Sequence, residues 1–231
     1  VYSTEKPLAS NRHLAIFGAI CVAILAAGVS AQLRGSGASL DPGHRGVVSL
    51  YLSTMAAEWF LLYFTWRGVR AQGYDLFAFV GRWKNVPGAG IDLALGVVVA
   101  FVILLLDSAV HHVIQHGNAK SIDQLLPQGP LEISLWLGVS ITAGVVEEIV
   151  FRGYLTNQLA ARFHNVPAAI VAQGLWFGGM HAYEGLQSVV SICAIGITFG
   201  IVAMWRKQLR TNIVGHSLVD IVAGLFPHLV N

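Results

Sequence analysis

Charge is scarce in this sequence. Asp, Glu, Lys and Arg make up 11% of the 231 residues, against roughly 25% in ordinary soluble domains. That deficit excludes a conventional solvated surface. The net charge of +2 and the lack of a basic block argue against nucleic acid as a partner. There are two cysteines, Cys21 and Cys193, each inside an apolar run. A disulfide framework is therefore excluded, and both read as small packing residues. No repeat, low-complexity tract or change of composition marks a second unit, so residues 1–231 read as a single integral-membrane domain.

What the sequence has in abundance is apolar length. The hydrophobic fraction is 55% and the mean hydropathy is +0.64. Runs near the ~20 residues that cross a hydrocarbon core occupy 14–33, 46–66, 91–110, 131–151, 166–183, 186–205 and 212–230. The expected fold is all-α, a polytopic transmembrane helical bundle of about seven spans (six to eight). The first run follows Lys6 and Arg12 and ends in Val29-Ser30-Ala31, which mimics a signal-peptide cleavage site. Its length exceeds an h-region of about 7–15 residues, so a retained helix is expected.

Orientation follows from the basic residues, which accumulate in short cytoplasmic loops. A cytoplasmic amino terminus puts eleven of them inside, namely Lys6, Arg12, Arg67, Arg70, Arg82, Lys84, Arg152, Arg162, Arg206, Lys207 and Arg210. Arg34, Arg45 and Lys120 fall outside. Trp66, Trp83, Trp136 and Trp205 lie near span ends, where indoles suit the headgroup level. The segments 67–90 and 111–130 read as the longer loops, with partly helical interfacial structure.

Against this background the stretch Val-Val-Glu-Glu-Ile-Val-Phe-Arg-Gly-Tyr-Leu, 145–155, stands out. Each ionised side chain deep in a bilayer costs on the order of 2.5–3.5 kcal/mol, so Glu147, Glu148 and Arg152 must be satisfied inside the bundle. Glu148 and Arg152, four apart, share a helix face and can pair. Glu147 points about 100° away and stays free for another role. A polar lock between helices would account for these three alone. Two later spans add more: His181, after Gly178 and Gly179, small residues that permit close helix contact, and His216 with Asp220, four apart on one face. That couple reads as an orienting hydrogen bond, a ligand pair or a mutually neutralised pair. Three spans thus supply acid, base or ligand groups, and their convergence would make a water-accessible reactive site inside the membrane. The cluster His111, His112 and His116 reads as a solvated loop, and Asp107 and His228 as locally paired or interfacial residues.

Glu147-Glu148-x-x-x-Arg152, Phe177-x-x-x-His181 and His216-x-x-x-Asp220, in that order on three spans, resemble the pattern of the CPBP intramembrane proteases, also called the Abi or CAAX-protease and bacteriocin-processing family. The resemblance covers 145–220 and extends to the type II CAAX prenyl endopeptidases, through the catalytic core that the family's branches share. It implies an intramembrane peptidase, a hydrolase acting on membrane-associated or lipidated protein or peptide substrates, in the plasma membrane of a bacterium. By resemblance Glu147 is the base, His181 helps hold the attacking water, and His216 with Asp220 stabilises the oxyanion. Glu148, Arg152 and Phe177 are supporting residues. Where the family often has Asn, this chain has Asp220, and an ionised carboxylate cannot donate a hydrogen bond as an amide does. Asp220 must then be protonated or orient His216.

The resemblance leaves metal dependence open, because members have been described both as metalloenzymes and as glutamate-dependent enzymes. His181, His216 and a carboxylate match a catalytic zinc set. Yet the common His-Glu-x-x-His metalloprotease helix is absent. The reading adopted has no cofactor and no metal ligands, with zinc as the alternative. A serine or cysteine peptidase is disfavoured, since Ser217 points about 100° from His216 and neither cysteine lies in a motif. A non-enzymatic transporter or scaffold, with the same charges as a proton path or helix lock, is the competing class. On these span boundaries His181 falls near the outer end of its helix while Glu147 and His216 fall toward the inner half, so the three meet only if a helix is long and tilted or a span starts later.

Overall fold

The apolar runs become helices. The computed structural model describes residues 6–35, 45–83, 85–114 and 125–227, and Lys84, His116, Lys120 and His228 lie outside them. The chain runs through α1 (Asn11–Gly35), α2 (Arg45–Arg70), a 3-10 turn (Leu76–Phe79), α3 (Val86–Val113), α4 (Pro130–Glu147), a π-helical segment (Glu148–Leu155) and α5 (Thr156–Phe163). Then come α6 (Val166–Gly179), a second 3-10 turn (Ala182–Glu184), α7 (Leu186–Arg206) and α8 (Arg210–Leu225). No strand occurs among the described residues. The protein is an all-helical, polytopic membrane bundle. Five stretches are long and apolar enough to cross a membrane, and the longest is the continuous rod Pro130–Phe163. α6 and α8 are shorter, at 14 and 16 residues, and with them seven rods stand where seven runs were read.

Exposure along α3 identifies the solvent for which the surface is made. Val97, Val98, Phe101 and Leu105 point outward and exposed, while Asp92, Gly96, Val99 and Ile103 are buried. In water an outer face of valine, phenylalanine and leucine would be an association liability. Against lipid it is the matching face.

The rod Pro130–Phe163 is longer than its apolar run because the polar residues that end the run are satisfied within the bundle. Thr156 Oγ1 donates to Phe151 O (3.0 Å) and Asn157 Nδ2 to Gly153 O (2.8 Å). The Gln158 side chain accepts from Ala9 N and donates to Ala9 O, both at 2.9 Å, tying the rod to the residues before α1. α1 is then held by buried Phe17 and Cys21 and by His13, whose ring stacks on Phe64 and contacts the Tyr154 hydroxyl at 3.0 Å. Both cysteines are free thiols.

Two of the indoles also bond within the bundle. Trp136 donates Nε1 to Asp220 O (3.0 Å), and Trp83 donates Nε1 to Asp92 Oδ2 (2.9 Å). Trp136 therefore serves helix contact inside the bundle, at Gly224 of α8, where any β-carbon would overlap its ring. The glycine expectation is half right. Gly178 lies against Cys193 and the Val189 carbonyl, whereas Gly179 faces open space. Gly174 and Gly196 also lie against each other where α6 meets α7.

α8 is drawn in by a further glycine. At Gly144 of α4 a β-carbon would meet Ser217 and the Ile213 carbonyl. Only a hydrogen side chain lets α8 lie this close to the end of α4, and the next residues on these helices are the motif residues.

Candidate active site

Three helical segments deliver the motif side chains. Glu147 ends α4, Glu148 and Arg152 lie in the π segment, Phe177 is in α6, His181 follows α6, and His216 and Asp220 are in α8. The π segment inserts an extra residue into the helical repeat, a distortion that often marks functional sites. Phe151 O there accepts from both the Thr156 backbone N–H and its hydroxyl.

The inner layer is closed. Glu148 and Arg152 are fully buried, with Oε1 and Nη1 2.9 Å apart. The guanidinium also donates to Gly196 O (3.4 Å) and lies over the rings of Phe177 (4.3 Å) and Phe199 (5.3 Å). Glu148 Oε1 is 2.9 Å from His216 Nδ1, and Glu148 Oε2 accepts from Asn212 Nδ2 at 2.9 Å. Asn212 donates as well to Phe199 O (2.8 Å). A carboxylate already paired with arginine is an acceptor for Nδ1–H, so this layer fixes the imidazole orientation and leaves Nε2 facing the other way.

The outer layer is open. His216 Nε2 lies 3.6 Å from Glu147 Oε2 and 3.7 Å from Asp220 Oδ2, beyond hydrogen-bond distance in both cases. The side chains of Glu147 and Asp220 keep 19% and 30% of their exposure, against 0% for Glu148. The adjacent glutamates are thus divided as the helical geometry predicts, Glu148 locked and Glu147 facing space. The carboxylate at hydrogen-bond distance of His216 is that of Glu148, on Nδ1, while Asp220 stands beyond it on the Nε2 side. Spacing within α8 suggested Asp220, but tertiary packing brings Glu148 closer.

Phe177 joins the second histidine to this group. Its ring centroid lies 5.1 Å from that of His181 and 6.1 Å from that of His216. His181 Nδ1 bonds the Phe177 carbonyl (2.9 Å). The depth conflict is resolved by the α5–α6 hairpin. The chain reverses at His164, in the left-handed region at φ 50°, and Asn165 caps α6 by accepting from Ala168 N at 2.9 Å. Glu147 and His181 lie nearly equally far before and after this reversal, each about 25 Å up its arm at 1.5 Å per residue, so they are level.

Two nearby residues were missed by sequence reasoning. Asn212 sits one turn before His216 on the same face, a spacing that could have been noticed. Glu58 of α2 is within electrostatic reach of Glu147 and Asp220. In the connection between α6 and α7, burial and then the carboxylate of Glu184 hold the Tyr183 phenol well above its usual range, keeping it a neutral hydroxyl.

Other candidates lie apart from the site. His111 Nδ1 bonds Asp107 O (2.9 Å) and is 3.3 Å from Asp107 Oδ1, and Ser191 donates to the same carboxylate. Ser217 packs on Gly144. Among the described residues no three His, Cys, Asp or Glu side chains form a set that could hold a metal ion.

No curated protein and no solved structure matches the chain. A family model does: residues 129–222, which contain α4 through most of α8 and all three motifs, match the Rce1-like family, type II CAAX prenyl endopeptidase Rce1-like. That match, on the segment whose polar side chains converge, supports a CPBP/CAAX protease family assignment.

Proposed function

We propose that the protein is an intramembrane endopeptidase that hydrolyses a peptide bond of a membrane-associated or lipidated substrate with water activated by Glu147. The observation that carries this reading is the two-layered environment of His216. Glu148, Arg152 and Asn212 hold one ring nitrogen, while the other faces Glu147 and Asp220 at 3.6 and 3.7 Å.

Glu147, partly exposed and without a cation at bonding distance, takes a proton from water, and His181 helps position that water. The hydroxide oxygen bonds to the scissile carbonyl carbon. The oxyanion that forms is stabilised by the His216 Nε2–H with Asp220 beside it. The C–N bond then breaks as Glu147 returns the proton to the leaving amine. Phe177 supports both imidazoles through ring contact and covers the Arg152 guanidinium.

We place Arg67, Arg70, Arg162, Arg206, Lys207 and Arg210 at the cytoplasmic face of a bacterial plasma membrane, with the amino terminus on that side. Contacts between helix ends support a common face for this group. Arg162 donates to Asn11 at the start of α1 (2.6 Å), and Arg206 and Arg210 meet at Asp92.

The test is cleavage of membrane-anchored peptides, with and without a lipid group, by purified protein in detergent. Wild type is expected to cleave, and Glu147→Ala and His181→Ala to lose nearly all activity. Equal cleavage by all three would end the peptidase assignment. Metal analysis and a chelator series on the same preparation test metal dependence, and stoichiometric zinc with chelator-sensitive cleavage would overturn the metal-free form of the mechanism.

A further inference from the structure

The end of the bundle formed by the start of α3 and the turn between α7 and α8 gathers its cations around one carboxylate. Asp92 accepts from Trp83 Nε1 (2.9 Å), Arg206 Nη2 (2.9 Å) and Arg210 Nε (2.7 Å). Gln208 and Thr211 donate to it as well, at 2.6 and 3.2 Å. Two further cations are bracketed by these tethered residues. Lys207 lies between Arg206 and Gln208, and Arg82 lies between Trp83 and Gly81, which sits against the Arg210 guanidinium. Arg82 and Lys207 are exposed, and Arg206 and Arg210 keep part of their exposure. The segments that build this end, 71–96 and 201–214, contain one other carboxylate, Asp75, and it caps the 3-10 turn through Phe77 N (3.0 Å). Positive charge is therefore in excess here, and the acid at its centre has no acceptor position to spare.

Indoles stand beside these cations. The Arg206 guanidinium lies over the Trp205 ring (5.4 Å) and that of Arg210 over the Trp83 ring (5.6 Å), and both indoles are exposed. A guanidinium stacked by its face keeps the N–H groups along its edge for an acceptor such as phosphate. Exposed apolar side chains continue from the cluster along both helices, Ile201 and Met204 on α7 and Ile91 and Leu93 on α3. A soluble anion would meet the cations and leave that surface bare. A lipid with an anionic head covers both, as basic pockets between membrane helices do when they hold headgroups.

We propose that this cluster binds an anionic phospholipid, with the phosphodiester against Arg82, Lys207 and the free guanidinium edges and the acyl chains along α3 and α7. The bound lipid offsets the charge that Asp92 leaves unmatched and bridges the junction of α3, α7 and α8. The site does not depend on the peptidase reading.

The experiment measures binding of phosphatidylglycerol and phosphatidylcholine to the delipidated full chain in detergent, by native mass spectrometry. It compares wild type, Arg82→Gln/Lys207→Asn and Arg67→Gln/Arg70→Gln. Asparagine suits position 207, where φ is 55°. The second pair loses the same charge from exposed positions at the end of α2, where Arg70 stacks on Trp66. Wild type is expected to bind phosphatidylglycerol about tenfold more tightly than phosphatidylcholine, and Arg82→Gln/Lys207→Asn to lose about tenfold of that affinity. Arg67→Gln/Arg70→Gln should stay within about twofold of wild type. Equal affinity of wild type for the two lipids, unchanged affinity in Arg82→Gln/Lys207→Asn, or equal losses in the two variants would each overturn the site, the last by showing that only diffuse charge is at work. Glycerol 3-phosphate that displaces phosphatidylglycerol at a comparable concentration would make the ligand a soluble phosphate and overturn the lipid assignment. If Arg82→Gln/Lys207→Asn does not fold, Lys207→Asn alone decides it: a loss of about fivefold supports the site, and unchanged affinity overturns it.

Discussion

Asp92 and Glu147 are both acidic residues on apolar helices, yet their surroundings are opposite. Asp92 is 1% exposed and accepts from Trp83 Nε1 (2.9 Å), Arg206 Nη2 (2.9 Å), Gln208 Nε2 (2.6 Å), Arg210 Nε (2.7 Å) and Thr211 Oγ1 (3.2 Å). An ionised carboxylate has about four acceptor positions, so this one is saturated. It clamps the start of α3 to the turn between α7 and α8 and has no capacity left for chemistry. Glu147 has its nearest cationic group at 3.6 Å and an open side. The difference separates a joint from a reactive group: a carboxylate surrounded by donors is stabilised as it stands, while one left short of them can take a proton.

The sharpest way to break this comparison is to neutralise each acid in turn. Glu147→Gln should lower kcat by about 10²- to 10⁴-fold, the usual contribution of a general base, with a melting temperature near wild type. If the peptide-cleavage rate were unchanged, Glu147 would be no more reactive than Asp92. Arg152→Leu tests the closed layer between them. Removing one member of a buried pair leaves Glu148 uncompensated and should destabilise by about 3–5 kcal/mol, read as a fall in the thermal unfolding temperature in detergent. A stable Arg152→Leu protein would mean that Asn212 and His216 alone satisfy Glu148.

Those residues also show what the sequence could and could not reveal. The helices were legible because the thickness of a bilayer sets the length of an apolar run, and the rods coincide with the runs. The Glu148–Arg152 pair was legible because four residues on a helix is a local distance. The extent of the rod past residue 151 was hidden, since Thr156, Asn157 and Gln158 look like a span end until their partners, Phe151, Gly153 and Ala9, are seen. Glu58 and the role of Glu148 toward His216 depend on which helices touch, and spacing within one helix carries no such information. The π segment has no sequence signal that we recognise.

Next in size is the saturated joint itself. Asp92→Ala removes the acceptor for two arginines, and hydrogen bonds to charged groups are worth about 1.5–3 kcal/mol each. Because Arg206 and Arg210 keep partial exposure and can turn to water, the net loss should be about 2–3 kcal/mol, measurable as a lower unfolding midpoint. Activity per folded molecule should stay within about twofold, in contrast to Glu147→Gln. A large loss of kcat at full folding would show that the joint governs where α8 presents His216.

The smallest effect divides two neighbouring glycines at the end of α6. At Gly178 a β-carbon would crowd the Val189 carbonyl and the Cys193 backbone and thiol of α7, while at Gly179 it would meet nothing within 4 Å. Gly178→Ala should therefore force the helices apart and lose about 1–3 kcal/mol, the usual range for overpacking. Gly179→Ala should change stability by no more than about 0.5 kcal/mol, as surface substitutions do. His181 follows immediately, so displacing α6 at Gly178 also shifts the histidine that the hairpin holds level with Glu147. Peptide cleavage should fall in Gly178→Ala and hold in Gly179→Ala. Equal effects at both positions would mean that the α6–α7 contact is not what sets the depth of His181.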